Sequence, residues 1–136
     1  MKKIKQTPQQ RANTLEALNV MWPSVPPENV INRLTWWRGS FGDAISPQKP
    51  PTCGTVACFG GWCAWWPSFN AQGVKVSRVG APFVEDHLDA DGFLFGDSSL
   101  FVSRGFYRSD RRFGGTDHQL VTHRLQWLLE NSEVVS

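Results

Sequence analysis

No stretch of this chain is long and apolar enough to cross a bilayer. Its longest apolar run, residues 56–66, is eleven residues with two glycines inside it, whereas a membrane-spanning helix needs about 20. The chain also lacks a CxxC redox pair, a glycine-rich phosphate loop and any motif of paired carboxylates. The start, MKKIKQTPQQRAN, carries the basic residues of a signal peptide without the apolar segment behind them, so the protein is expected to stay in the cytoplasm. In that reducing compartment an odd count of three cysteines implies free thiols, not a disulfide framework. A large excess of either charge is missing too. The net charge of +2 makes no field that by itself argues for nucleic acid.

Aromatic rings, in contrast, are abundant: seven Trp and nine Phe in 136 residues, with 40% of the chain apolar. Rings of this size dominate a core or a binding surface, and the chain length suits one core. The predicted fold class is α+β, a small, mainly helical single domain over 1–136 with a central Gly/Trp-rich helix and a short β element. Loose ends are expected at about 1–6 and 133–136, with a long connection over 38–52 that is rich in Gly, Ser and Pro. Charge is uneven along the chain. Residues 1–73 carry seven Lys/Arg against three Asp/Glu, and residues 74–136 carry seven against nine.

Several elements are legible. Thr7-Pro8-Gln9-Gln10 has a cap, a proline at the first helical position and a glutamine placed to reach back, so a helix is predicted from about Pro8 to Met21. Ala12, Leu15, Leu18 and Trp22 form its expected inward stripe. PPENVINRL reads as a short helix, and Thr55 as the cap of a helix to about Trp66 that Pro67 ends. VKVSRV at 74–79 reads as a strand, and Pro82 to Leu88 as a short helix closed by DADG. FLFGDSSLF reads as a tight apolar turn, with Asp97 or Ser98 capping one helical turn. The last helix starts at a Thr116 cap with Gln119 three residues on, and turns Leu120, Val121, Leu125, Leu128 and Leu129 inward.

The most distinctive stretch is CGTVACFGGWCAWWP, residues 53–67. At about 100° per residue, five-residue steps set Cys53, Cys58 and Cys63 about 140° apart around a helix, so one helix cannot gather them on a metal. Zinc sites use close pairs, and His87, His118 and His123 stand in no i, i+4 relation to one another. The reading is therefore structural. Cysteines such as Cys58 behave as small buried apolar residues, and Gly54, Ala57, Gly60, Gly61 and Ala64 let other backbones approach while Phe59, Trp62, Trp65 and Trp66 fill the volume around them. A catalytic Cys53 with His118 or His123 as its base is a further reading that no spacing in the sequence supports.

VPPENVINRLTWW, then CGTVACFGGW, then FLFGDSSLF, then TDHQLVTHRLQWLL resemble a group of small uncharacterised proteins common in bacteriophage genomes and prophages. That group carries a CGTxxCxxGW motif, a later LF segment and a C-terminal amphipathic helix. The resemblance covers about residues 10–130. Cys53, Gly54, Thr55, Cys58, Gly61 and Trp62 match the central motif and Leu100-Phe101 the later one, while Cys63 and the CAWWP ending depart from it. The resemblance implies a phage or mobile-element origin, a host-cell cytoplasm as location, and action by binding a host machine. It implies no activity.

Two other segments carry chemistry. DADGFLFGD, with Asp89, Asp91, Gly92 and Asp97, faintly echoes a calcium loop but lacks its further carboxylates and terminal glutamate, so a solvated turn is expected and no metal or cofactor is assigned. RGFYRSDRRF interleaves Arg104, Arg108, Arg111 and Arg112 with Phe106 and Tyr107. Basic and aromatic residues together suit single-stranded nucleic acid or nucleotides. They also suit a protein interface, because Arg and Tyr are enriched at hot spots. The expectation is a non-catalytic binding protein that inhibits or modulates a host protein or a defence complex, of an anti-CRISPR or other anti-defence kind, using those six residues. Binding of nucleic acid or a nucleotide signal through the same residues is the alternative.

Overall fold

A computed structural model describes residues 3–25, 37–38, 56–57, 59–76, 82–86, 89–101, 107, 110 and 112–135. The described elements are β1 (Ile4–Gln6), α1 (Pro8–Glu16), β2 (Trp37–Arg38), β3 (Val56–Ala57), α2 (Phe59–Trp65), α3 (Pro67–Ala71), β4 (Val74–Val76), β5 (Pro82–Val84), α4 (Ala90–Phe95), α5 (Asp117–Glu130) and β6 (Ser132–Val134). Helices and a few short strands make this a mixed α+β structure. Three two-stranded ladders occur among the described residues: β1 with β6 in parallel, β2 with β3 antiparallel, and β4 with β5 antiparallel.

Both predicted capping boxes form. Thr7 and Gln10 exchange side-chain and backbone bonds at the head of α1, and Thr116 and Gln119 do the same for α5. Beyond Glu16 the chain continues through a π turn, Ala17–Met21, and a 3-10 turn, Trp22–Ser24. Pro23, which has no N–H to give, helps end the run there. α5 closes at Asn131, with Leu120, Val121, Leu125 and Leu128 buried.

The inward stripe expected for α1 holds only in part: Trp22 is buried and Leu18 packs half-buried on the core, but the first half of the stripe faces out. Leu15 is 43% exposed and Ala12 is exposed, whereas Asn13, Thr14, Ala17 and Met21 are buried. The reason is hydrogen bonding: the buried face of α1 is chosen by amides that reach α4. Asn13 Nδ2 donates to Leu94 O at 2.9 Å, and Gln10 Nε2 donates to Gly92 O at 3.1 Å and Phe93 O at 3.3 Å. From β1, Gln6 Nε2 donates to Phe95 O at 2.7 Å. The Phe93, Leu94 and Phe95 carbonyls are ones the helix leaves open at its C-terminus, while Gly92 O also accepts from the cap Gly96 N at 2.9 Å.

Two segments near the ends of the chain pair with each other. Ile4–Gln6 lie in register with Ser132–Val134, and Arg11 donates to Ser132 O at 3.2 Å and Oγ at 3.0 Å across the pair. Pro82 does not begin a helix. Pro82–Val84 is the strand partner of Val74–Val76, with Val74 and Val84 opposite each other and buried. DADG does not terminate a helix either: α4 starts at Ala90, takes in the FLF expected as a turn, and ends where Gly96 adopts φ +81°, a conformation glycine takes without strain. Asp97 accepts from Ser99 N at 2.9 Å and so heads the single turn over residues 98–101, as expected of a capping residue.

The Gly/Trp helix is shorter than predicted. Residues 56–57 pair with 37–38, so α2 covers only Phe59–Trp65. Trp66 is extended, as a residue before proline tends to be, and Pro67 opens α3 instead of only stopping α2. Gly60, Gly61 and Trp62 are buried in α2, in a core with Trp22, Phe69, Phe95 and Leu125. Cys53, Gly54, Thr55 and Cys58, the helix expected in 26–34, and the 38–52 connection apart from Arg38 lie outside the described residues. A Cβ on Gly60 would stand 2.9 Å from Pro82 Cγ and 3.0 Å from the Phe101 ring. Gly60→Leu is therefore expected to prevent folding and Gly60→Ala to cost about 1–3 kcal/mol, measured by urea denaturation. An unchanged midpoint in the alanine variant would contradict this packing.

Candidate functional site

The Arg/aromatic segment meets the body at two buried points. Tyr107 is only 4% exposed; its hydroxyl donates to Asp97 Oδ2, and its ring stands edge-on to Trp127 at 5.1 Å. Asp97 is well placed to accept, because its other oxygen already holds Ser99 N and Oγ. Burial, and then the neighbouring Asp97 carboxylate, push the phenol far above its usual range, so Tyr107 stays protonated.

The second point is Asp110. Its carboxylate meets the Arg124 guanidinium at 2.8 Å, with the two side chains 0% and 2% exposed. Arg124 also donates to Leu100 O at 3.2 Å, and its guanidinium lies 5.2 Å from the Tyr107 ring centre. One arginine of α5 thus ties together the turn after α4, the Tyr107 ring and Asp110. Nearby, buried Asp91 accepts from Phe101 N at 3.0 Å and Gly92 N at 3.1 Å. Desolvation outweighs those two bonds and pushes its carboxyl up to about 6, with Asp89 adding to the rise.

Of the six predicted binding residues, Tyr107 is not a free ring. It belongs to the core, and stacking on a ligand would require breaking its bond to Asp97. Arg112 is exposed and adopts φ +63°. Arg104, Phe106, Arg108 and Arg111 lie outside the described residues. The sequence reading missed Asp110 and Arg124 as partners. A signal for Arg124 existed, since it falls four residues from both Leu120 and Leu128 within the apolar stripe of α5, a position where a charge needs a buried partner.

The histidines considered for catalysis have packing roles. His118 stacks on Trp22 with ring centres 4.8 Å apart. Trp22 Nε1 donates to His118 O at 2.8 Å, and His118 Nε2 lies 2.9 Å from Trp22 O. His123 lies against Phe113. Cys63 is buried and forms no disulfide, while Cys53 and His87 fall outside the described residues. Among the described residues no group of three or more His, Cys, Asp or Glu is arranged to hold a metal ion, and no helix is long and apolar enough to cross a membrane.

No protein-family model matches the chain, and neither a curated protein nor a solved structure shows significant similarity to it.

Two expectations follow from these buried groups. Asp110→Asn leaves the Arg124 charge without its counter-ion and should cost about 3–5 kcal/mol in denaturant titration; a loss below about 1 kcal/mol would show the pair to be dispensable. Asp91 holds its proton more tightly in the folded state, with its carboxyl raised from 3.8 to about 6. Its contribution to stability therefore falls as pH rises through that window and stays lost above it. The difference in unfolding free energy between wild type and Asp91→Asn should change with pH across that window, by up to about 3 kcal/mol. A pH-independent difference would contradict the assignment.

Proposed function

We propose that the protein acts by binding, without catalysis, and that its partner is a host protein or defence complex engaged through the 104–113 segment. The observation that supports this reading is the pair of buried anchors. Tyr107 on Asp97 and Asp110 on Arg124 fix the segment to the core at two points, and Arg112 is exposed two residues beyond the second. A recognition segment fixed in advance loses less conformational entropy on binding than a free one. An exposed arginine next to such an anchor is a suitable interface residue.

The resemblance to small phage and prophage proteins supports the same reading, with the host-cell cytoplasm as the place of action and an anti-CRISPR or other anti-defence role as its finer form. A nucleic-acid or nucleotide role loses one of its two stacking rings, because Tyr107 is engaged in the core. The remaining basic residues of the segment keep that role open to a direct comparison.

Affinity capture from infected host lysate tests the reading, with wild type compared against Arg112→Glu. The expected outcome is one stoichiometric host protein, depleted at least fivefold by the substitution and retained when salt is raised to 0.5 M. Recovery of nucleic acid or nucleotides alone, with binding that collapses as salt rises, would replace the protein partner with the alternative.

A further inference from the structure

A groove of about 610 Å³ opens between β1, the first turn of α1, Gln72 and the N-terminal half of α4. That volume lies within the range of small-molecule sites, about 300–1,000 Å³. None of its lining belongs to the 104–113 segment. Lys5 lines it beside Gly96, Asp89 and Ser98 line it over Gly92, and Gln9, Gln72 and Phe93 are also in the lining.

The polar groups are not equally engaged. Gln72 is held by Asn13 and Ser68, whereas Gln9 uses only its amide nitrogen, on Asn13 Oδ1. Asp89 occupies the N-cap position of α4 yet makes no capping bond. Among the described residues neither Asp89 nor Lys5 is held by a hydrogen bond from its side chain or an ion pair. Asp89 Oδ1 and Ser98 Oγ converge above Gly92, Ser98 Oγ lying 2.9 Å from where a Cβ on that residue would stand. A glycine here lets the carboxylate fold over the helix backbone beside the hydroxyl.

A simple anion would meet Lys5 but be repelled by Asp89. A simple cation would meet one carboxylate and an ammonium of like sign. The groove instead suits a ligand with an anionic group at one end and hydroxyls at the other. A carboxylate beside a hydroxyl matches sugar hydroxyls, which donate and accept, and Phe93 in the lining offers an apolar ring face. We propose that this groove binds a phosphorylated sugar or nucleoside monophosphate, with phosphate at Lys5 and ring hydroxyls at Asp89 and Ser98.

Titration of the full-length protein with ribose 5-phosphate, followed by backbone amide NMR, tests the site. Saturable shifts are expected at Lys5, Gly92 and Phe93, with Kd of about millimolar for a single cation contact. Lys5→Gln and Asp89→Asn should each weaken binding by about fivefold or more, with spectra otherwise preserved, since Lys5 is exposed and Asp89 only half-buried. Ribose and inorganic phosphate alone should bind more weakly than the joined molecule. The proposal is overturned by any of three results: no saturable shifts in the groove, equal binding of inorganic phosphate with no dependence on Asp89, or an equal response to the zwitterion γ-aminobutyrate. Because the groove is separate from the arginine segment, these outcomes do not depend on the protein-partner reading.

Discussion

Everything in this structure turns on how one short helix ends. α4 has six residues, Ala90–Phe95, too few to be stable alone; the cap Gly96 N–H reaches Gly92 O at 2.9 Å, and the last three carbonyls have no partner within the helix. Side-chain amides supply the partners: Gln10 for Gly92 and Phe93, Asn13 for Leu94, Gln6 for Phe95. A buried carbonyl left without a bond costs about 1–3 kcal/mol, so the interaction is needed wherever α4 is buried. The amides are themselves well held. Gln6 is 0% exposed, and its oxygen accepts from Arg11 at 2.9 Å and Ser132 at 3.2 Å. Through that one side chain the first strand, the last strand, α1 and α4 share a single network.

Once α4 is fixed, the rest of the candidate site has a foundation. Asp91 on α4 holds Phe101 N, and Asp97 just beyond it holds Tyr107. From the opposite side, Arg124 on α5 holds Leu100 O and Asp110. The turn after α4 is thus gripped from two helices, and the Arg/aromatic segment is tied to the same grip. Polar groups do this work inside a core otherwise filled by rings, with Phe59 and Phe95 stacked and Phe69 edge-on to Phe95. Buried polar groups fully bonded in this way favour one arrangement over the many that apolar packing alone would tolerate.

Legibility from sequence followed the range of the interaction. Capping boxes are local, three residues from cap to partner, and both were readable at Thr7-Gln10 and Thr116-Gln119. The apolar face of α5 was readable because its stripe follows the helical period. The face of α1 was not, because the residues that select it, Gln10 and Asn13, look like surface amides until α4, some 80 positions away, is placed against them. The strand over Val74–Val76 was visible from its β-branched alternation, but its partner Pro82–Val84 was read as a helix from Pro82 alone. In the candidate site, arginines and aromatics were conspicuous as types. Only tertiary contacts separate Tyr107, which is an anchor, from Arg112, which is exposed.

The most direct measurement is the unfolding free energy of Asn13→Leu, a substitution that keeps the branched outline of the side chain and removes its amide. If amide capping of α4 determines the face of α1, the variant should lose at least about 2 kcal/mol, because Leu94 O and Gln72 Oε1 lose the Asn13 donor. A neutral or stabilising effect would mean that apolar packing alone holds the two helices together, and the capping of α4 by α1 would lose its place as the organising contact.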